Sequence, residues 1–400
     1  MSMQILLFYC AMLVSNLFRG LFIVTIAWGA LVVSGSIAAS GQIFVINQIL
    51  NVVAGPGFGT LVDRLNRRFS VILGQAIVGL STATPFVLWA LGIELQFWHL
   101  ALVAFCNGFG HLFAAGALDG MLQSLIPVEK RPQAASLTNG IRQASMVAGA
   151  GGGGYVIHLL GLPSAFLIGS LLCLITISCI ALLPTVPVAK KARGYAAFMG
   201  ELKEGFVYFR QSGELVTLAL VSALGMSAGQ LSNALLPGFI KLIAEGDSGL
   251  YGLVDAGWSV GGVGVAFLVG FLLRRFALKG WEYILLAGLG VTSALFSFLE
   301  VPVTLVIVHG LMGAAFSGSK ILADGRLLQI CREDMMGRVR ANVQMATSLL
   351  GIFVYLSPTY LSGLTAQQLY FGWGVVLVLA GLGLFAARRN AVPAAQTGVS

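Results

Sequence analysis

Apolar runs of membrane-crossing length alternate with short polar turns along almost the whole chain. The runs cover 5–33, 38–62, 70–92, 97–125, 134–157 and 162–184, then 214–240, 249–273, 281–298, 301–330, 339–363 and 367–387. A spanning helix needs about 20 mostly apolar residues, so each run predicts one transmembrane helix. A longer polar stretch separates the sixth run from the seventh and carries Lys190, Lys191, Arg193, Glu201, Lys203 and Glu204. The pattern predicts an all-α membrane protein of twelve transmembrane helices in two pseudo-symmetric six-helix bundles. The bundles are 1–184 and 214–400, the second ending in a short cytoplasmic tail, with a cytoplasmic linker at 185–213. A β-barrel is excluded, because its strands are alternating segments of about ten residues.

Composition supports the same reading. The chain is 58% hydrophobic and 10% charged, whereas soluble domains are about 45–50% apolar and about 25% charged. Its 52 glycines suit membrane helices, where small residues allow close helix contact. The formal net charge of +8 invites a nucleic-acid reading, but the placement of the basic residues answers a different question. With both termini inside, eighteen of the 23 basic residues fall in cytoplasmic turns, the linker and the tail. Only Lys241 falls outside, and Arg19, Arg142, Lys320 and Arg326 lie within spans. This asymmetry predicts an N-in, C-in topology. The cysteines, Cys10, Cys106, Cys173, Cys179 and Cys331, are odd in number and form no C-x-x-C pair. They read as small hydrophobes in packed helices. The N-terminus lacks a basic n-region and a cleavage site, so the first run reads as retained.

The two halves repeat. Residues 122–136 read LQSLIPVEKRPQAAS and residues 328–342 read LQICREDMMGRVRAN, at an offset of 206. Arg67-Arg68 after the second run corresponds to Arg274-Arg275 after the eighth. Two parallel six-helix halves are what an internal duplication leaves, and substrate sites in such proteins lie near the bilayer midplane.

The turn after the second run reads Gly59-Thr60-Leu61-Val62-Asp63-Arg64-Leu65-Asn66-Arg67-Arg68. It resembles the G-x-L-a-D-r-x-G-r-[KR] loop of the major facilitator superfamily, with Asn66 in place of the second glycine. Asn tolerates a left-handed backbone, so the replacement is a mild one. The twelve-span layout, linker and repeat extend the resemblance over nearly the whole chain. It implies gating roles for Gly59, Asp63, Arg64, Arg67 and Arg68, with Asp63 making a charge-assisted contact in one state and losing it in another. A solvated basic turn that only sets topology is the competing reading. The fifth run carries Gly149-Ala150-Gly151-Gly152-Gly153-Gly154. This resembles the G-P-x-x-G-G antiporter motif of superfamily exporters, with Ala150 where they have proline; generic small-residue packing is the alternative. The exporter arginine four residues before Gly108 is replaced by Ala104, which departs from the best-known drug–proton pattern. The overall look is similar to the enterobactin-exporter and macrolide-efflux group.

Ionisable groups at membrane depth face a cavity or a partner. The tenth span sets His309, Gly313, Ser317, Lys320 and Asp324 along one helical face; the fourth sets Asn107, His111, Ala115 and Asp119 at strict spacing of four. The seventh contributes Ser222, Met226, Gln230 and Asn233, and the first contributes Asn16 and Arg19. The resemblance implies that these four spans line the central cavity. Candidate substrate-binding residues are therefore Asn16, Arg19, His111, Met226, Gln230, His309 and Lys320. Lys320 and Asp324 also fit a structural i,i+4 ion pair, and His309 fits a satisfied core histidine. Asp119 and Arg142 read as a pair with a structural or gating role. Arg19 has no acidic residue in its own span, so an anionic substrate group and a carboxylate from another span compete as its partner. Asp255 aligns with Gln48 at an offset of 207. A carboxylate replacing an amide in one half only is a candidate proton carrier, because burial disfavours its charged form; a cap or outer-face pair is the alternative. Asp119 and Asp324 are the next candidates for proton coupling.

No P-loop, HExxH or paired-cysteine zinc pattern occurs, so an enzyme, a resident cofactor and a metal site are not expected. The expected function is alternating-access secondary transport of a small siderophore-like or drug-like organic molecule across a bacterial cytoplasmic (inner) membrane. Export driven by the proton gradient leads, and uptake is the alternative. A lipid flippase or non-transporting receptor is the alternative of another class. The expected partners are the substrate and the bilayer, without nucleic acid, for a monomer.

Overall fold

The computed structural model describes residues 3–54, 65–127, 130–184, 200, 203–208, 212–273, 275–276, 278–332 and 335–391. Among them are twelve long helices. These are α1 (Met3–Ser34), α2 (Ile37–Val53), α3 (Arg67–Ala90), α4 (Phe97–Leu125), α5 (Arg131–Leu160) and α6 (Leu162–Ala181). The second set is α7 (Gly213–Leu242), α8 (Ser248–Leu272), α9 (Trp281–Phe296), α10 (Pro302–Ile330), α11 (Met336–Tyr360) and α12 (Ala366–Ala391). Nine are long and apolar enough to cross a bilayer; α2, α5 and α9 are not in that set. α2 and α9 are short, at 17 and 16 residues, and α5 carries Asn139, Arg142 and Gln143 between its apolar positions. The expected second span was longer, but its last part falls at 55–64, outside the described residues, as does most of the linker.

Local chemistry sets the helix ends. Asn66 N-caps α3, its Oδ1 accepting from the Arg68 amide at 2.9 Å. Its backbone is extended, φ −61° and ψ 127°, so the left-handed conformation expected there is not used. The carboxamide takes the place of a glycine by capping. Gly161, at φ 82° and ψ 163°, is the whole joint between α5 and α6. That positive φ favours a residue without a Cβ, and Pro163 at the start of α6 fits a position whose N–H has no helical acceptor.

The chain divides into two compact units, Met1–Phe198 with Leu236–Ala256, and Met199–Leu235 with Gly257–Ser400. In the first, α1 packs on α2, α4, α5 and α6, and α3 packs on α4 and α6. In the second, α9 packs on α10 and α12. The pairs α3–α4 and α3–α6 thus recur six helices later as α9–α10 and α9–α12, which is the sequence repeat expressed in packing. Glycines enable both versions: a Cβ on Gly74 would strike the Gly110 carbonyl between α3 and α4, and one on Gly290 would lie 2.5 Å from the Gly374 carbonyl between α9 and α12. Each version also has a buried serine bridge. Ser170 donates to the Gly79 carbonyl at 2.9 Å, and Ser293 donates to the Tyr370 carbonyl at 3.3 Å.

Candidate functional site

The glycine run of α5 organises the first unit, because its small residues serve two neighbours at once. On one side a Cβ on Gly149 would collide with the Leu17 carbonyl of α1, and one on Gly20 with the Met146 carbonyl. On the other, a Cβ on Gly154 would collide with the Ser248 carbonyl and lie 2.6 Å from Gly252 Cα. Around this second contact Trp28 stacks on Tyr251 with centroids 5.7 Å apart, and Lys241 Nζ lies 6.0 Å from the Trp28 centroid. His158 Nδ1 and Asp247 Oδ2 are 2.7 Å apart at the exposed end.

Tight α1–α5 packing sets Arg19 and Arg142 within electrostatic range of each other, and both act on His111 of α4. Arg19 is residue 17 of the 32 in α1, and His111 is residue 15 of the 29 in α4, so both sit at mid-helix. Both are exposed. Neither makes a hydrogen bond or ion pair with a described residue. Asn16, one turn before Arg19, is buried and donates to its own helix at Met12 O, 2.7 Å away. The structure therefore brings Arg19, His111 and Arg142 together and leaves Asn16 turned to its own backbone. Asp119 falls in the last third of α4; its side chain is outside the described set.

The remaining expected residues lie elsewhere. Gly59, Asp63 and Arg64 are outside the described residues. Arg68 donates to the Leu183 carbonyl at 2.9 Å and to the Ala181 carbonyl, tying α3 to the carbonyl end of α6. Arg67 opens α3 beside it. In the second unit Lys320 Nζ meets Asp324 Oδ2 at 2.7 Å, and Ser222 donates to Asp324 Oδ1 at 3.5 Å. His309 is fully buried, its Nε2 2.7 Å from Ser232 Oγ, and its ring lies among Trp258 and Phe296. Tyr370 donates to the same Ser232 hydroxyl at 3.4 Å. Gln230 is buried, donates to Thr347 O at 3.4 Å and keeps its Oε1 without a partner. Met226 is half-buried on the same helix. Asp255, in the part of α8 belonging to the first unit, is half-buried and makes no hydrogen bond or ion pair with a described residue.

Sequence reasoning missed one cluster. Arg326 of α10 pairs with Glu282 of α9, Nη1 to Oε1 2.7 Å, and with Glu214 at the start of α7. The available signal was a glutamate and an arginine isolated in the apolar runs of adjacent helices, a combination stable only when they meet.

Comparison with known proteins gives a consistent picture. The Major Facilitator Superfamily profile matches residues 8–355. The uncharacterized MFS-type transporter YfiS of Bacillus subtilis (strain 168) is 25% identical over 358 residues, covering 83% of this chain and 80% of that protein. Among solved structures, the nucleoside transporter NupG superposes with a TM-score of 0.76 at 16% identity, over 96% of this chain and 99% of that one. A D-xylose-proton symporter superposes with a TM-score of 0.71 at 16% identity, over 94% and 96%. Those two likenesses are of fold. With the helical repeat and the profile match over most of its length, this chain is a multi-pass membrane protein belonging to the Major Facilitator Superfamily.

Proposed function

We propose that this transporter exports a small organic molecule across a bacterial inner membrane in exchange for protons. The observation that carries the reading is the pair Arg19 and His111, ionisable, exposed and at mid-helix in largely apolar helices. Ionisable groups at that position mark a substrate or ion path. Export rests on the glycine run at 149–154, which resembles the exporter motif and fits α5 against two neighbours. A siderophore-like or drug-like substrate rests on the resemblance alone. Asp255 is the assigned proton carrier, since its carboxylate makes no ion pair or hydrogen bond with a described residue. Uptake is the second reading, favoured by the fold neighbour titled a D-xylose-proton symporter.

Everted vesicles energised by an acid interior test the direction, using pooled metabolites and drugs and a pH-sensitive dye. Export predicts substrate-dependent release of the proton gradient, with substrate accumulating inside the everted vesicles. Accumulation only in right-side-out vesicles supports uptake, and no proton movement with any pool rejects the coupling. With Asp255→Asn, exchange without a gradient should persist while gradient-driven accumulation vanishes. Accumulation at near wild-type rate makes Asp255 structural.

A further inference from the structure

Helices α1 to α6 hold two arginines away from their ends, Arg19 and Arg142, and a single carboxylate, Asp119. One carboxylate cannot neutralise both. Asp119 lies in the last third of α4 and Arg142 in the first half of α5, both toward the ends that follow or precede the basic turn at 130–131. Arg19 sits a further turn or two along, level with His111 at mid-helix. Arg142 has an interaction of its own. Arg19 and His111 make no hydrogen bond or ion pair with a described residue.

Their exposure is not exposure to lipid tails. Leu6 and Leu13 mark the outward side of α1, and Trp98, Leu102 and Phe105 that of α4. Arg19 follows Leu13 by six residues and His111 follows Phe105 by six, which turns each about 120° away from the outward side. The two therefore share the inner side of the unit, within electrostatic range of each other. The other described charged groups of this unit lie at helix ends or in turns, Arg67, Arg68, Lys130 and Arg131 at one end and Glu94, Lys241, Glu245 and Asp247 at the other, apart from Asp255 within α8. His158 already takes Asp247. A guanidinium offers up to five N–H donors in a planar fork suited to a carboxylate or phosphate, and an imidazole adds one more donor.

Building on the transport reading, we infer that the substrate is a small organic anion, whose carboxylate or phosphate group is held by Arg19 with His111 as a second donor.

The test uses full-length protein with its native cysteines replaced and Asn107→Cys added, one turn from His111. Thiol reagents bearing a sulfonate or a trimethylammonium group are compared, each against its rate with free thiol. The sulfonate reagent should be favoured at least tenfold, Arg19→Gln should remove the preference, and Arg19→Lys should keep it. Equal rates, or no labelling by either reagent, overturn the anion site. Thermal unfolding and proteoliposome uptake are then measured with organic acids and their methyl esters. Acids should stabilise the protein and be transported, esters should do neither, and Arg19→Gln should abolish both responses. Transport of esters as fast as acids overturns the inference and leaves the transporter reading intact. Binding of acids without transport of any compound upholds the anion site and rejects the transport reading. In nanodiscs, protection of the introduced thiol by phosphatidylglycerol and not by free acids assigns the site to a lipid headgroup and overturns a soluble substrate.

Discussion

Arg326 holds Glu282 at 2.7 Å in a side-chain environment closed to solvent on the glutamate side, where Glu282 is 0% exposed and Arg326 18%. The glutamate also accepts from the Gly280 amide at 2.9 Å through its other oxygen, and Ser319 donates to its backbone carbonyl at 2.8 Å. One carboxylate thus ties the start of α9 to α10. Removing one member of a buried pair costs about 3–5 kcal/mol, while replacing both by apolar groups is often neutral. Glu282→Ala should lower the unfolding temperature in detergent markedly, and Glu282→Leu with Arg326→Met should recover most of the loss. Glu204→Ala, which removes an exposed partner of Arg338, should change stability by about 0.5 kcal/mol or less. Equal losses from Glu282→Ala and Glu204→Ala would show that the buried pair is no anchor.

The glycines of α5 should differ sharply among themselves. Gly149→Ala and Gly154→Ala place a methyl against the backbone of a neighbour, which cannot move aside as a side chain would. Overpacking of this kind costs about 1–3 kcal/mol. Gly152 has open space around its Cβ position, and Ala is the better helix former by about 1 kcal/mol. Gly152→Ala should therefore match or exceed the wild type in thermal unfolding. A uniform loss at all three positions would mean that the run matters for flexibility, not contact.

Histidine chemistry separates the expected binding residues. Diethylpyrocarbonate on native protein should modify the exposed His111 and His158 and spare His309, which is fully buried against Ser232. Mass spectrometry reads the pattern. Rapid modification of His309 would put it on an open path to solvent. His309→Ala should cost about 1–3 kcal/mol, because the Ser232 hydroxyl loses a buried partner.

Topology rests on charge asymmetry, and the 185–199 segment is where it can be tested. A single cysteine placed there should react with an impermeant maleimide only from the cytoplasmic side. Labelling from outside intact cells would reject twelve spans with both termini inside.

The apolar pattern located all twelve helices because bilayer length imposes a strong period-free signal, and α7 at Gly213–Leu242 falls within two residues of its expected ends. The α5 boundaries were less legible, since Arg131-Pro132 at its start is polar and still helical. Polar stripes singled out Arg19 and His111, which lie at mid-helix, but spacing along one helix cannot reveal which neighbour a side chain meets. His309 and Lys320 share one stripe, yet one is enclosed by aromatic rings and the other pairs with Asp324. Arg326 with Glu282 escaped notice for the same reason: their meeting depends on how α9 and α10 dock, a relation written in two separate segments.

The Gly161 joint bears on how the chain enters the membrane during synthesis. α5 has a polar first half and a glycine-rich second half and falls outside the nine strongly apolar helices, whereas α6 is among the most apolar. With one residue between them, α6 cannot settle across the bilayer without carrying the end of α5 with it. Biogenesis then couples the least self-sufficient helix to a strongly inserting one, so a loop extension at 161 would act on insertion efficiency before it touched any contact in the finished protein.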